Sequence, residues 1–158
     1  MFNIQKKQMK KGFTAFELLI VVAIMSVLAA VVLVPFMGFR DTKVLDTTAD
    51  DIVSLLNEAR QDTLLSRNGS QYGVYFETSR MVYFKGTTFT EPNADNKEVF
   101  FNQIVQLSDI SLAGFSDSVV FERLTGKTSN SGSVTIQVAS DTSREIVITI
   151  EPTGVVGF

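Results

Sequence analysis

KKGFTAFELLIVVAI, Lys10 to Ile24, joins a basic leader ending at Gly12 to a hydrophobic run that starts at Phe13 and carries one carboxylate, Glu17, near its beginning. From Leu18 to Phe39 the only hydroxyl, amide or charged side chain is Ser26. About 22 residues at ~1.5 Å rise make roughly 33 Å of helix, enough to cross the hydrocarbon of a bilayer once. Lys6, Lys7, Lys10 and Lys11 precede the run with no acid among them, and such a cluster stays cytoplasmic under the positive-inside rule. The expectation is a leader over 1–12, a membrane helix over 13–39, and an exported head over 40–158, oriented N-in and C-out.

Two plainer readings compete. A secretory signal also has a basic start and an apolar core, but that core typically runs ~7–15 residues to a small-residue cleavage site. A simple signal anchor accounts for the span without accounting for Glu17. A carboxylate in a membrane helix costs roughly 2.5–3.5 kcal/mol on insertion scales and by default marks a function. A glutamate snorkelling to the cytoplasmic interface is the structural alternative.

Gly12, Phe13 and Glu17 in this setting resemble the class III signal of type IV pilins and pseudopilins. The resemblance implies cleavage between Gly12 and Phe13 by the prepilin peptidase, a membrane aspartyl enzyme, and methylation of the new Phe13 amino terminus. It also implies that Glu17 attracts the ammonium terminus of a neighbouring subunit and sets register in a filament. An ammonium–carboxylate pair is strong at low dielectric, although desolvation cancels much of the gain, so register is its better use. The partners so implied are other pilin or pseudopilin subunits, met through the N-terminal helix, the inner-membrane assembly platform and membrane lipid. Ala15-Phe16 stands where the family commonly has Leu-Ile, and Pro35 falls about one residue late.

Composition restricts the rest. The chain has 158 residues, no cysteine and no histidine, which leaves room for one small exported domain without a disulfide. Zinc, haem, iron–sulfur, Ser-His-Asp and Cys-His chemistry lack their residues; no cofactor, no metal and no enzymatic activity are expected. Net charge is −3, and loss of the leader removes four lysines and no acid, leaving 10 basic against 17 acidic side chains, or −7. Nucleic-acid binding usually rests on a basic patch, and only the scattered Arg123, Lys127 and Arg144 offer one.

Pro35 and Gly38 predict a kink near the outer end of the membrane helix. Beyond them Leu45, Ala49, Ile52, Leu56 and Ala59 recur at helical steps, with Asp46, Asp50, Asp51, Glu58 and Asp62 mostly on the other surface. An amphipathic helix over 41–67 follows, capped near Arg67-Asn68-Gly69. From residue 70 the period changes. Tyr72 to Phe76 and Met81 to Phe84 read as a hairpin, Val134 to Val138 and Ile146 to Ile150 as two strands around a Ser140–Arg144 turn, with Val99–Val105 and Ser118–Arg123 as further strands. The fold class is α+β: a long N-terminal helix, its first half in the membrane, packed on a β-rich head of about six or seven antiparallel strands.

DDIVSLLNEARQDTLLSRNGSQYGVYF, the later FERLTGKTSNSGSVTIQV and the terminal EPTGVVGF look like the GspH/FimT branch of minor pilins and pseudopilins, with Ala59-Arg60 at its helix-end signature and Gly126 and Gly154 at its late glycines. The resemblance implies a structural subunit of a type II secretion pseudopilus or a type IV pilus in the bacterial cytoplasmic membrane, its head periplasmic or extracellular. Some relatives in this branch bind DNA for uptake, the alternative function, against which the acidic balance argues. Among shorter signals, Gly126-Lys127-Thr128 has Phe121 where a phosphate loop needs its first glycine, so a turn is expected. Glu91, Asn93, Asp95 and Glu98 space oxygens as calcium loops do, but Asn96 and Asn102 replace the glycine and the terminal acid. Asn68-Gly69-Ser70 meets the glycosylation sequon, and a helix cap explains it better.

Overall fold

The computed structural model describes residues 12–158, apart from the side chains of residues 32–37. The leader lysines and the Pro35 side chain therefore lie outside the described residues. The chain divides into two compact units, Met1–Gly38 and Phe39–Phe158. Helix α1, Ala15–Leu64, runs without a break through positions 35 and 38.

In the second unit the α1 stripe does what its spacing dictates. Leu45, Ala49, Ile52, Leu56 and Ala59 are buried, and Leu55 joins them; each fully buried Leu or Ile contributes about 1.5–3 kcal/mol. The helix ends at Leu64, three residues before the expected Arg67. Ser66 takes the left-handed conformation there (φ 49°) and a 3-10 turn, Arg67–Gly69, follows. The chain thus reverses on a serine before reaching the glycine.

Eight strands follow. They are β1 Tyr72–Phe76, β2 Arg80–Lys85, β3 Lys97–Phe100, β4 Val105–Leu112, β5 Ser118–Val120, β6 Gly132–Val138, β7 Asp141–Ile150 and β8 Val156–Gly157. They form two antiparallel four-stranded sheets in the orders β3-β2-β1-β5 and β4-β6-β7-β8. One apolar cluster joins the α1 stripe to inward residues of both sheets, among them Val74, Phe76 and Met81 of the first and Val134, Ile136 and Ile148 of the second. The fold is α+β.

Three boundaries differ from expectation. The Val99–Val105 strand is two strands meeting at a turn, where Val105 N–H donates to the Asn102 carbonyl at 2.8 Å. β4 carries a register shift between Leu107 and Asp109, so Val105 and Leu107 alternate in one phase and Ile110 and Leu112 in the other, hiding the period. Most of the expected Ser140–Arg144 turn, from Asp141 on, belongs to β7, leaving Ala139-Ser140 as the turn: Gln137 pairs with Glu145 and Val138 with Asp141. The extra residues bulge around Asp141, whose Oδ1 accepts from the Ser143 hydroxyl at 2.6 Å. The expected strand Ser118–Arg123 stops at Val120 because Glu122 N–H turns to the Lys127 carbonyl at 2.8 Å.

Candidate functional site

Gly12, Phe13 and Thr14 precede the helix without regular structure, and Phe13 is 81% exposed. The expected scissile bond thus lies in open backbone ahead of the first turn. Thr14 is the N-cap: its Oγ1 accepts from Glu17 N–H at 3.2 Å and its carbonyl from Leu18 N–H at 3.2 Å. Thr-Ala-Phe-Glu is the spacing of a capping box, a signal present in the sequence and overlooked there. Glu17 sits in the first turn, where the positive end of the helix dipole favours its charge. Its carboxylate is exposed and has no partner among the described residues.

Within the first unit every residue from Gly12 to Val31 is exposed, including Phe16, Leu18, Leu19, Met25 and Leu28. A helix apolar all round needs lipid or other helices about it. Ser26 suits such surroundings, since its hydroxyl donates to the Val22 carbonyl at 2.8 Å and carries no unmet donor. Among the described residues no helix is long and apolar enough to cross a membrane. The apolar run of the sequence continues through residues 32–37, whose side chains are outside that set.

In the second unit, Arg60 at the C-terminal part of α1 reaches two late loops. Its Nε donates to the Gly126 carbonyl at 3.1 Å and its Nη2 to the Thr153 carbonyl at 3.4 Å. Gly126 (φ 63°) and Gly154 (φ 79°) both lie in the left-handed region. A Cβ on Gly154 would overlap the Gly126 carbonyl oxygen and stand 2.9 Å from Arg60 Nε. Ala59 beside Arg60 is fully buried. The three signature positions picked out in the sequence thus form one contact.

Asp62, expected on the surface, is buried with an exposure of 8%. Tyr83 donates its hydroxyl to Asp62 Oδ2 at 2.6 Å, and Arg67 Nη1 donates to the same oxygen at 2.9 Å. Burial alone raises the Asp62 pKa, but the hydrogen bonds from Tyr83 and then Arg67 outweigh it and hold the carboxyl below its ordinary value. Burial, with Asp62 beside it, pushes the Tyr83 hydroxyl up. Tyr72 stacks on Tyr83 with centroids 5.4 Å apart and donates to the Arg67 carbonyl at 3.0 Å. Thr63 completes the join: its Oγ1 donates to the Ala59 carbonyl at 2.8 Å and accepts from Tyr72 N–H at 2.9 Å. The cluster fastens the end of α1 to β1 and β2.

The loop with calcium-like spacing is organised by an arginine. Arg80 contacts Glu77 at 2.7 Å, Glu91 at 2.9 Å and Glu98 at 3.1 Å, while Asn93 Oδ1 accepts from Asp95 N–H at 3.0 Å. The guanidinium neutralises Glu91 and Glu98 of that loop, and among the described residues no group of His, Cys, Asp or Glu is arranged to hold a metal ion. Arg123 and Lys127 flank one turn, whereas Arg144 is held by Asp141 at 3.1 Å. Lys127 lies on a turn ahead of β6, with no helix after it, so it is no phosphate loop. Asn68 sits in the 3-10 turn, and its amide donates to the Tyr72 hydroxyl at 3.4 Å.

The chain matches no protein-family model and none of the curated proteins. Among solved structures, it superposes on the minor pseudopilin EpsH from the type 2 secretion system of Vibrio cholerae with a TM-score of 0.55 at 15% identity, covering 72% of this chain and 94% of that one. A second structure of the minor pseudopilin EpsH from Vibrio cholerae gives a TM-score of 0.48 at 12% identity, over 73% and 93%. The fold is pseudopilin-like.

Proposed function

We propose that this chain is a non-enzymatic structural subunit, a minor pseudopilin or minor pilin, made as a prepilin and added to a type II secretion pseudopilus or a type IV pilus. The observation that carries the reading is the exposed apolar stretch from Phe13 to Val31, helical from Ala15 onward, with the single unpartnered carboxylate Glu17 in the first turn, in a chain whose fold is pseudopilin-like. Before assembly the helix lies in the cytoplasmic membrane, N-in and C-out. The prepilin peptidase cuts between Gly12 and Phe13, and the new terminus is methylated. Neighbouring subunits then pack through the 13–39 helices, with Glu17 matched to a Phe13 ammonium.

The chemistry follows from solvent. A Glu17 carboxylate moved from the membrane interface into a bundle of apolar helices loses hydration and regains stability only beside a cation. Cleavage supplies that cation on each subunit. The pair therefore favours one stagger of helices over others, while apolar contact supplies the bulk of the cohesion. Antibody detection of the chain in mechanically sheared filaments from its own host tests the reading. Retention of all the protein in the membrane, with filaments present but lacking it, contradicts it.

A further inference from the structure

The outer face of the first sheet carries a cavity that the core does not use. Val74, Phe76 and Val119 enter the core, so strand alternation turns Tyr75, Ser118 and Val120 to the opposite face. There they line an open cavity of about 610 Å³, within the ~300–1,000 Å³ common for ligand sites. Its aromatic wall is Tyr75 stacked on Phe89, with centroids 4.1 Å apart and planes at 7°. Phe84 braces Phe89 edge-on at 5.6 Å. Asp117 and Glu122 line the same space, and no lysine or arginine does. Burial, and then Asp117, push the Tyr75 hydroxyl up, keeping it neutral.

Loops at both ends of β5 hold large apolar side chains in solvent. Phe115 (φ 53°) and Leu124 (φ 70°) occupy left-handed backbone and are almost fully exposed. That conformation is strained for a non-glycine residue, and neither side chain returns burial to the head. At the β5 edge the backbone of Ser118 is already taken, because the Ser116 hydroxyl accepts from its N–H at 3.1 Å and donates to its carbonyl at 3.0 Å.

We propose that this cavity docks a basic segment of a partner protein, with lysine or arginine side chains seated between the Asp117 and Glu122 carboxylates and the Tyr75–Phe89 rings. Charge complementarity and cation–π attraction act together there, and Phe115, next in the chain to the lining residue Ser116, offers an exposed apolar side chain. Nucleic acid is repelled by the same carboxylates, and a neutral oligosaccharide gains nothing from them. The proposal stands independently of the filament reading, because the cavity belongs wholly to the Phe39–Phe158 unit.

The test is fluorescence anisotropy of a labelled Arg-Leu-Arg-Leu-Arg-Leu peptide with the full chain in neutral detergent micelles at roughly 0.15 M salt. Saturable binding is expected, weakened about tenfold by Asp117→Asn with Glu122→Gln. Asp50→Asn with Asp51→Asn removes the same charge from exposed positions on α1 and is expected to change binding less than about twofold. Equal weakening by the two double variants, absence of saturable binding, or tighter binding of cellohexaose or oligo-dT than of the peptide overturns the proposal.

Discussion

Arg60 Nε donates to the carbonyl of Gly126 at 3.1 Å across 66 residues of chain, and the same guanidinium reaches Thr153 across 93. One side chain therefore ties the end of α1 to two loops that follow strands of different sheets. Those loops are also bonded to each other, Thr128 N–H donating to the Pro152 carbonyl at 3.1 Å.

Replacing Gly154 by alanine combines left-handed strain with a steric overlap on backbone. A loss of roughly 3 kcal/mol or more is expected, read from the urea midpoint of the full chain in micelles. Arg60→Met keeps the stem and removes the donors, and a loss of about 1–2 kcal/mol is expected. Equal, small effects from both would mean that the loops do not meet as described.

Tyr83→Phe leaves the buried Asp62 carboxylate without its shortest hydrogen bond, and a loss of about 1–3 kcal/mol is expected. The pH dependence has a definite sign. Asp62 is held below its ordinary pKa in the folded chain, so the unfolded chain binds a proton there that the folded chain refuses. Its stabilising contribution is complete above the unfolded pKa, about 3.9, and is lost as pH falls through the lower, folded value. The stability difference between wild type and Asp62→Asn should therefore shrink as pH falls below about 4. A difference that stays constant from neutral pH to about pH 2 would contradict the described geometry.

These two contacts mark where the sequence ceased to be legible. The α1 stripe and the β1, β2 and β6 strands follow simple periods and could be read directly. Asp62 looked like one of several surface acids because its burial depends on Tyr83, a residue on another element. Arg60, Gly126 and Gly154 were each singled out by resemblance, but their meeting is a property of the closed fold. β4 was missed because its bulge shifts the alternation between Leu107 and Asp109, and β8 because two residues have no period.

Arg80 gathers Glu77, Glu91 and Glu98 around one fixed charge, so the loop between β2 and β3 is held by an internal cation. Chelator should leave the thermal midpoint of the wild type unchanged. Arg80→Gln, which leaves three carboxylates facing one another, should increase protease cleavage within residues 86–96, and calcium should partly reverse it. A wild-type midpoint that drops on chelation contradicts this reading.

Glu17→Ala is predicted to leave cleavage at Gly12–Phe13 intact and to reduce incorporation into sheared filaments strongly, because register is lost while apolar cohesion remains. Thr14→Val, which removes only the helix cap, should cost about 1 kcal/mol of local helix stability and leave incorporation close to normal. Normal incorporation of the Glu17 variant would show that its carboxylate merely faces the interface.

The most direct measurement is the mass of the intact amino-terminal peptide of the chain isolated from membranes of its own host. A chain processed as a prepilin begins at Phe13 and carries one N-methyl group there. A mature protein that still begins at Met1, or that is cut after the hydrophobic run, contradicts the assignment to a pilin-type assembly.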